Sequence, residues 1–237
     1  MTDSYISIDL ETTGLEPKHD KIIEIGALQV EKGQITDSFS TFVNPGRKLE
    51  ERITELTGIR DEDLADAPYI QDVLPKLLAF VGDLPLLGHS ILFDFSFLKK
   101  AAVNQKLSFE RGAVDTLKIA RKYLPELESR SLDYLCKYYE IPHKAHRALE
   151  DARATHLLYG KLVEQFGGKE PAEGGLFVPV QLNYQVKRDT PATKAQKEQL
   201  YRLLEQKKIN LPVEIEQLTR SEASRLVDKI RSGRFSA

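Results

Sequence analysis

The sequence predicts an α/β domain with a mixed sheet, followed by a small helical module. Three features carry that expectation. Apolar residues alternate over three early segments, they take helical spacing across much of residues 74–166, and a Gly- and Pro-rich stretch then separates this block from the C-terminal residues.

Tyr5–Leu10, Ile22–Val30 and Ile35–Val43 read as a three-stranded antiparallel meander. Asn44-Pro45-Gly46 ends it, because proline removes a ladder donor and glycine tolerates the turn. Leu74–Val81 has helical spacing, and Leu84–His89 reads as a short buried strand leading into a helix over Leu92–Asn104. Further helices are expected at Thr116–Tyr123, at Ser131–Tyr139 with Ser131 as N-cap, and at Ala148–Phe166. Strands followed by interleaved helices suggest a sheet covered on both faces. The domain is expected to span residues 1–167. A linker over 168–191 follows, with one brief β-like run at Leu182–Val186. Residues 192–237 form the helical module, with apolar Leu200, Leu203 and Leu204 in one helix and a capping-box pattern, Thr219-Arg220-Ser221-Glu222, opening another. That module sits near the lower size limit for independent folding.

The 237 residues suffice for one α/β domain and an appendage without disulfides. The single cysteine, Cys136, reads as a small apolar core residue. No run of about 18 apolar residues occurs, and Met1-Thr2-Asp3-Ser4 lacks signal-peptide character, so a cytoplasmic protein with no membrane partner is expected. The net charge of −2 hides an asymmetry. Residues 1–168 carry 21 Lys and Arg against 27 Asp and Glu, whereas 169–237 carry 13 against 9. A basic tail suits a polyanionic partner or simply a solvated helical face.

Asp9 and Glu11 occupy positions i and i+2 of a strand, so they project from one face while Ile6, Ile8 and Leu10 pack the other. Buried unpaired carboxylates are costly, and a cation or a proton relieves them. Asp94 falls in the first turn of an apolar helix, where favouring the helix dipole is the plain alternative to a site role. His146 lies in a loop just before a helix, and Asp151 lies about one turn inside it. His143 and His19 read as solvated, and His156 as packed or solvated. Gathered carboxylates can hold two divalent metals, and an imidazole can accept a proton near neutrality.

These residues resemble the DEDDh, DnaQ-like 3′→5′ exonuclease family of the ribonuclease-H-like fold. Residues 9–15 match its first motif, Gly88-His89 through Phe97-Leu98 its second, and His146 with Asp151 its third. Arg147 stands where a related subclass carries tyrosine. Ile53–Ile59 and Val114–Leu117 also resemble family segments, and Ser90 departs from a common asparagine. The resemblance implies a mixed five-stranded sheet flanked by helices. It implies Asp9, Glu11, Asp94 and Asp151 as ligands of two Mg²⁺ or Mn²⁺ ions, His146 as general base, and release of nucleoside 5′-monophosphates. Thr12, Thr13, Leu15, Leu56, Thr57 and His89 would bind substrate, with the two leucines wedged against the last base. Asp115 reads as a helix cap rather than a fifth ligand. DNA with single-stranded or frayed 3′ ends is the favoured substrate. RNA ends are the alternative, and an inactive nucleic-acid-binding or polymerase-docking module is a second. A polymerase subunit is a candidate partner. So is a sliding clamp, through the faint docking-peptide pattern Glu173-Gly174-Gly175-Leu176-Phe177.

Overall fold

A computed structural model describes residues 1–169, 175–209 and 215–233. The chain forms two compact units: Met1–Pro45 with Leu49–Val186, and Gly46–Lys48 with the residues from Lys187 onward.

The first unit opens with β1 (Tyr5–Thr12), β2 (Ile22–Glu31) and β3 (Gln34–Phe42), paired antiparallel as the alternation predicts. Next come α1 (Glu51–Thr57), α2 (Asp61–Ala65), α3 (Ile70–Val81), β4 (Leu86–Gly88), α4 (Leu92–Asn104), β5 (Gly112–Asp115), α5 (Thr116–Tyr123), α6 (Leu132–Tyr138), α7 (Ala148–Phe166) and β6 (Val180–Gln181). The strand order is β3-β2-β1-β4-β5-β6, with β4 parallel to β1 and β5 parallel to β4. Among the described residues the sheet therefore has six strands rather than five. The extra strand, β6, is two exposed residues pairing antiparallel with β5 at the edge, too short to carry an alternating pattern. Strand pairing falls there, and Leu182–Val186 is not a strand.

Two apolar cores lie on the two faces of the sheet. Ile6, Ile8 and Leu10 pack with Leu74, Leu77, Phe95 and Leu98, joining β1 to α3 and α4. Tyr5, Leu87 and Val114 pack with Ile119, Leu135, Leu158 and Leu162, joining the other face to α5, α6 and α7. Cys136 is buried in this second core, where burial pushes its thiol up to about 11. The short helices α1 and α2 escape the periodicity argument because five to seven residues hold too few turns; Ile53, Ile59 and Leu64 pin them over Ile23.

Leu176, Phe177 and Leu182 turn the presumed linker into part of this unit. Phe177 is 1% exposed among Tyr123, Tyr159 and Phe166 in the second core, and Leu182 is buried in the first. A clamp-docking peptide must offer its aromatic ring to a partner, so burial of Phe177 removes that pattern as a docking peptide. Glu173 and Gly174 lie outside the described residues.

In the second unit, α8 (Lys194–Lys207) and α9 (Arg220–Arg231) both begin with capping boxes, Thr193 with Gln196 and Thr219 with Glu222. Leu200 packs with Ile215, Leu218, Ala223, Val227 and Ile230. Ala192 N donates to Leu218 O at 2.8 Å and Arg220 N to Thr190 O at 2.8 Å, stapling the start of the unit to α9. Among the described residues no helix is long and apolar enough to cross a membrane.

Candidate active site

The site is built on the face of β1 opposite Ile6, Ile8 and Leu10. Ser7, Asp9 and Glu11 alternate along it, and Ser7 Oγ donates to Ala152 O of α7 at 2.7 Å, locking that helix onto the strand. Glu11 is 8% exposed and Asp9 is half-buried. The approach of α7 is made possible by Gly26, which sits opposite Asp9 on β2. A Cβ on Gly26 would lie 2.1 Å from Leu149 N and 2.2 Å from the Ala148 carbonyl carbon. Backbone atoms cannot yield to such a contact.

Asp94 does more than meet a helix dipole. Its Oδ1 accepts Leu10 N at 3.0 Å, tying the first turn of α4 to β1 and bringing a third carboxylate beside Asp9 while remaining buried. The turn into α4 passes through Ser90 at φ 69°, a left-handed conformation that suits asparagine better than serine. This gives a backbone reason for the asparagine common there. Ser90 N is held by Asp115 Oδ1 at 3.0 Å, and the same oxygen accepts Leu117 N, so Asp115 caps α5.

His146 has φ 65°, and its N–H donates to Asp151 Oδ2 at 3.0 Å. Its ring is exposed, and one ligand atom each from Glu11, His146 and Asp151 all lie within 4.8 Å of one another. His143 is not solvated as expected. Its side chain is 5% exposed, Nε2 bonds Asp151 Oδ1, and Nδ1 stands 3.8 Å from Asp133 Oδ1. Loop sequence alone could not show this, because the burial comes from α6 and α7 closing around the ring. His19 is also partly covered, with Nε2 3.7 Å from Glu16, while His156 is packed, its Nδ1 3.0 Å from the Tyr5 hydroxyl.

Electrostatically the cluster is overloaded with negative charge. Desolvation and the carboxylates of Asp94, Asp151 and Glu11 hold Asp9 well above the usual carboxylate range. Desolvation likewise raises Asp94, against the backbone donors that favour its charged form. Burial, reinforced by Asp151 and Glu24, pushes Glu11 up to about 8. Asp151 is raised by burial, with His143 pulling the other way. Such groups need protons or cations, and an all-oxygen set with one imidazole fits a hard divalent ion.

Glu24 is a further acid of the cluster that the sequence reading missed. Its signal was there, a lone charge inside the otherwise apolar run Ile22–Leu28. It faces Glu11 across the strand pair and is 2% exposed, yet both oxygens are taken. Arg147 forks onto them at 3.0–3.4 Å, and Ala148 N donates to Oε2 at 3.1 Å.

The six expected substrate contacts divide in two. Leu15 and Leu56 are 81% and 53% exposed, free apolar surfaces suited to bases. The side chains of the other four are hydrogen-bonded within the protein, mostly to backbone. Thr12 Oγ1 donates to Gly14 O, Thr13 Oγ1 accepts Lys21 N, and Thr57 Oγ1 donates to Ile53 O and accepts Ile59 N. His89 bridges Thr116 Oγ1 and Arg130 O at 2.9 Å each. A cleft of about 400 Å³ lined by Phe42, Thr57, Lys144 and Arg147 flanks the His146 loop.

The exonuclease family model matches residues 6–159 and so takes in all four acids and His146. The chain belongs to the exonuclease family. A DNA polymerase III of PolC type from Caldanaerobacter subterraneus subsp. tengcongensis is 41% identical over 163 residues, covering 68% of this chain and 12% of the relative. The PolC-type polymerase of Bacillus subtilis is 38% identical over 185 residues, covering 76% and 12%. The chain thus spans about an eighth of the length of these relatives. Among solved structures, exonuclease X in complex with 5′-overhanging duplex DNA matches with a TM-score of 0.56 and 27% identity, covering 68% of this chain and 91% of that one. The zinc-bound E. coli exonuclease I complex with single-stranded DNA matches with a TM-score of 0.63 and 19% identity, covering 71% and 42%, which shows the shared fold. Residues 6–159 are therefore an exonuclease-family domain, with the mixed sheet and flanking helices of these structures.

Proposed function

We propose that the protein is a metal-dependent 3′→5′ exonuclease that removes nucleoside 5′-monophosphates from single-stranded or frayed 3′ ends of DNA. The convergence of Glu11, His146 and Asp151 within 4.8 Å of one another carries the reading, with Asp9 and Asp94 beside them. Asp9, Glu11, Asp94 and Asp151 would hold two Mg²⁺ or Mn²⁺ ions, whose charge would stabilise the negative charge that develops on the reacting phosphate. His146, exposed at the rim of the acidic cluster, takes the proton from the attacking water through its imidazole nitrogen. Leu15 and Leu56 offer base-blind apolar contact to the terminal nucleotide, and Thr12, Thr13, Thr57 and His89 would complete the substrate-binding set. The duplex DNA of the exonuclease X complex supports DNA as substrate, and the PolC-type polymerases support a proofreading role beside a polymerase.

The test is degradation of 3′-labelled and 5′-labelled DNA and RNA strands with Mg²⁺, with Mn²⁺ and with chelator. Mononucleotide released first from the 3′ label on DNA, only with metal, is expected. Release first from the 5′ label would reverse the polarity, and faster loss of RNA would move the reading to an exoribonuclease.

A further inference from the structure

On the reading of His146 as the base, we propose that Glu24 and Arg147 are a positioning pair that fixes the turn carrying His146 from the neighbouring strand. The turn is unusual at two points. His146 adopts a left-handed backbone, and Arg147, the residue that starts α7, has no side-chain cap of its own for the helix. Glu24 supplies what is missing, since its carboxylate accepts Ala148 N, the first N–H of the helix. The guanidinium of Arg147 then binds the same carboxylate through both Nε and Nη2.

Arg147 follows His146 directly, so this fork fixes the chain on one side of the imidazole. The bond from His146 N to Asp151 Oδ2 fixes the other. A planar guanidinium in a fork tolerates less rotation than a lysine would, and Arg147 also lies 5.6 Å over the ring of Phe42. Glu24 reaches across from a position 123 residues earlier, on a strand held rigid by its two neighbours. With both oxygens occupied by donors, Glu24 acts through Arg147 and Ala148 rather than on substrate.

The experiment compares kcat and KM on a labelled single strand for Glu24→Gln/Arg147→Met, made in the parental protein and in His146→Ala. The double change removes both charges together, so neither is orphaned in the fold. In the parental protein kcat should fall about 10- to 100-fold with KM nearly unchanged, as expected for a displaced base. In the His146→Ala protein the same change should cost almost nothing more, since the residue being positioned is gone. Losses that multiply in the two backgrounds, or a loss confined to KM, would overturn the pair while leaving the base assignment intact. His146→Ala working at the parental rate would overturn both. Should the double variant fail to fold, Arg147→Lys keeps the charge and loses the fork, and the same two-background comparison decides.

Discussion

His143 and Asp151 share a part-buried hydrogen bond, so an imidazole outside the motif residues grips one of the proposed metal ligands. Carboxylates that bind cations work best when a neighbour fixes their rotation, and loss of such a neighbour typically costs about 10–100-fold in metal affinity or activity. His143→Ala should therefore shift the Mn²⁺ concentration giving half-maximal rate upward by about tenfold. An unshifted metal titration would show that Asp151 is held by its helix alone.

Removal of a proposed ligand should be harsher than removal of the proposed base. Asp9→Ala and Asp151→Ala should abolish hydrolysis with the fold retained by circular dichroism. His146→Ala should lower the rate by about 10²–10⁴ with Mn²⁺ binding preserved. Equal rates for His146→Ala and the parent across neutral pH would refute the base.

The acidic cluster makes a prediction about stability without metal. Glu11 sits at about 8 in the folded chain against 4.5 in the unfolded one, and Asp9 and Asp94 are shifted in the same direction. Folding thus favours their protonated forms. The stabilisation is complete below the unfolded value and is lost as pH rises through the folded value. Chelator-treated protein should melt at a lower temperature at about pH 9 than at about pH 5, and Mn²⁺ should flatten that slope. A chelated protein whose melting temperature holds constant over this range would count against the clustering.

Gly26→Ala should damage the site from its back. The added methyl meets backbone of α7 at 2.1 Å, so the helix start must move and carry Asp151 and His146 with it. Displacements of about 1 Å cost on the order of 10²-fold in rate. Steady-state kinetics on the folded variant checks this, and a parental rate would show that α7 has slack the packing does not suggest.

Truncation tests the tail only if cut in the right place. Ending the chain at Gly168 strips Phe177 and Leu182 from the two cores, and losses of such side chains run to about 2–5 kcal/mol each. A chain ending at Val186 should keep the first unit's melting temperature. A weaker salt dependence of single-strand affinity in that shorter chain would assign the basic C-terminal unit to nucleic acid. Unchanged affinity and slope would remove that role.

Much of this was legible in the residues themselves. Alternation set β1, β2 and β3 and put Asp9 and Glu11 on one face. Helical spacing and caps placed α4, α5 and α7 to the residue and α6 to within one. The resemblance to the exonuclease motifs singles out Asp94, His146 and Asp151 as candidate site residues. What failed was short or long-range. The helices α1 and α2 and the strand β6 hold too few residues for a period to show. Residues 175–186 read as linker until Phe177 found its aromatic neighbours.

Local pattern, then, determined which residues face together along each element and which residue types could do chemistry. Tertiary structure alone decided that Glu24 answers Arg147 from 123 positions away, that His143 is buried against Asp151, and that Gly26 admits α7 to the sheet. Periodicity reports the environment a side chain wants, apolar or wet. The partner it meets there is fixed only when strands and helices pack, because hydrogen bonds and steric contacts depend on atoms brought together by the whole fold.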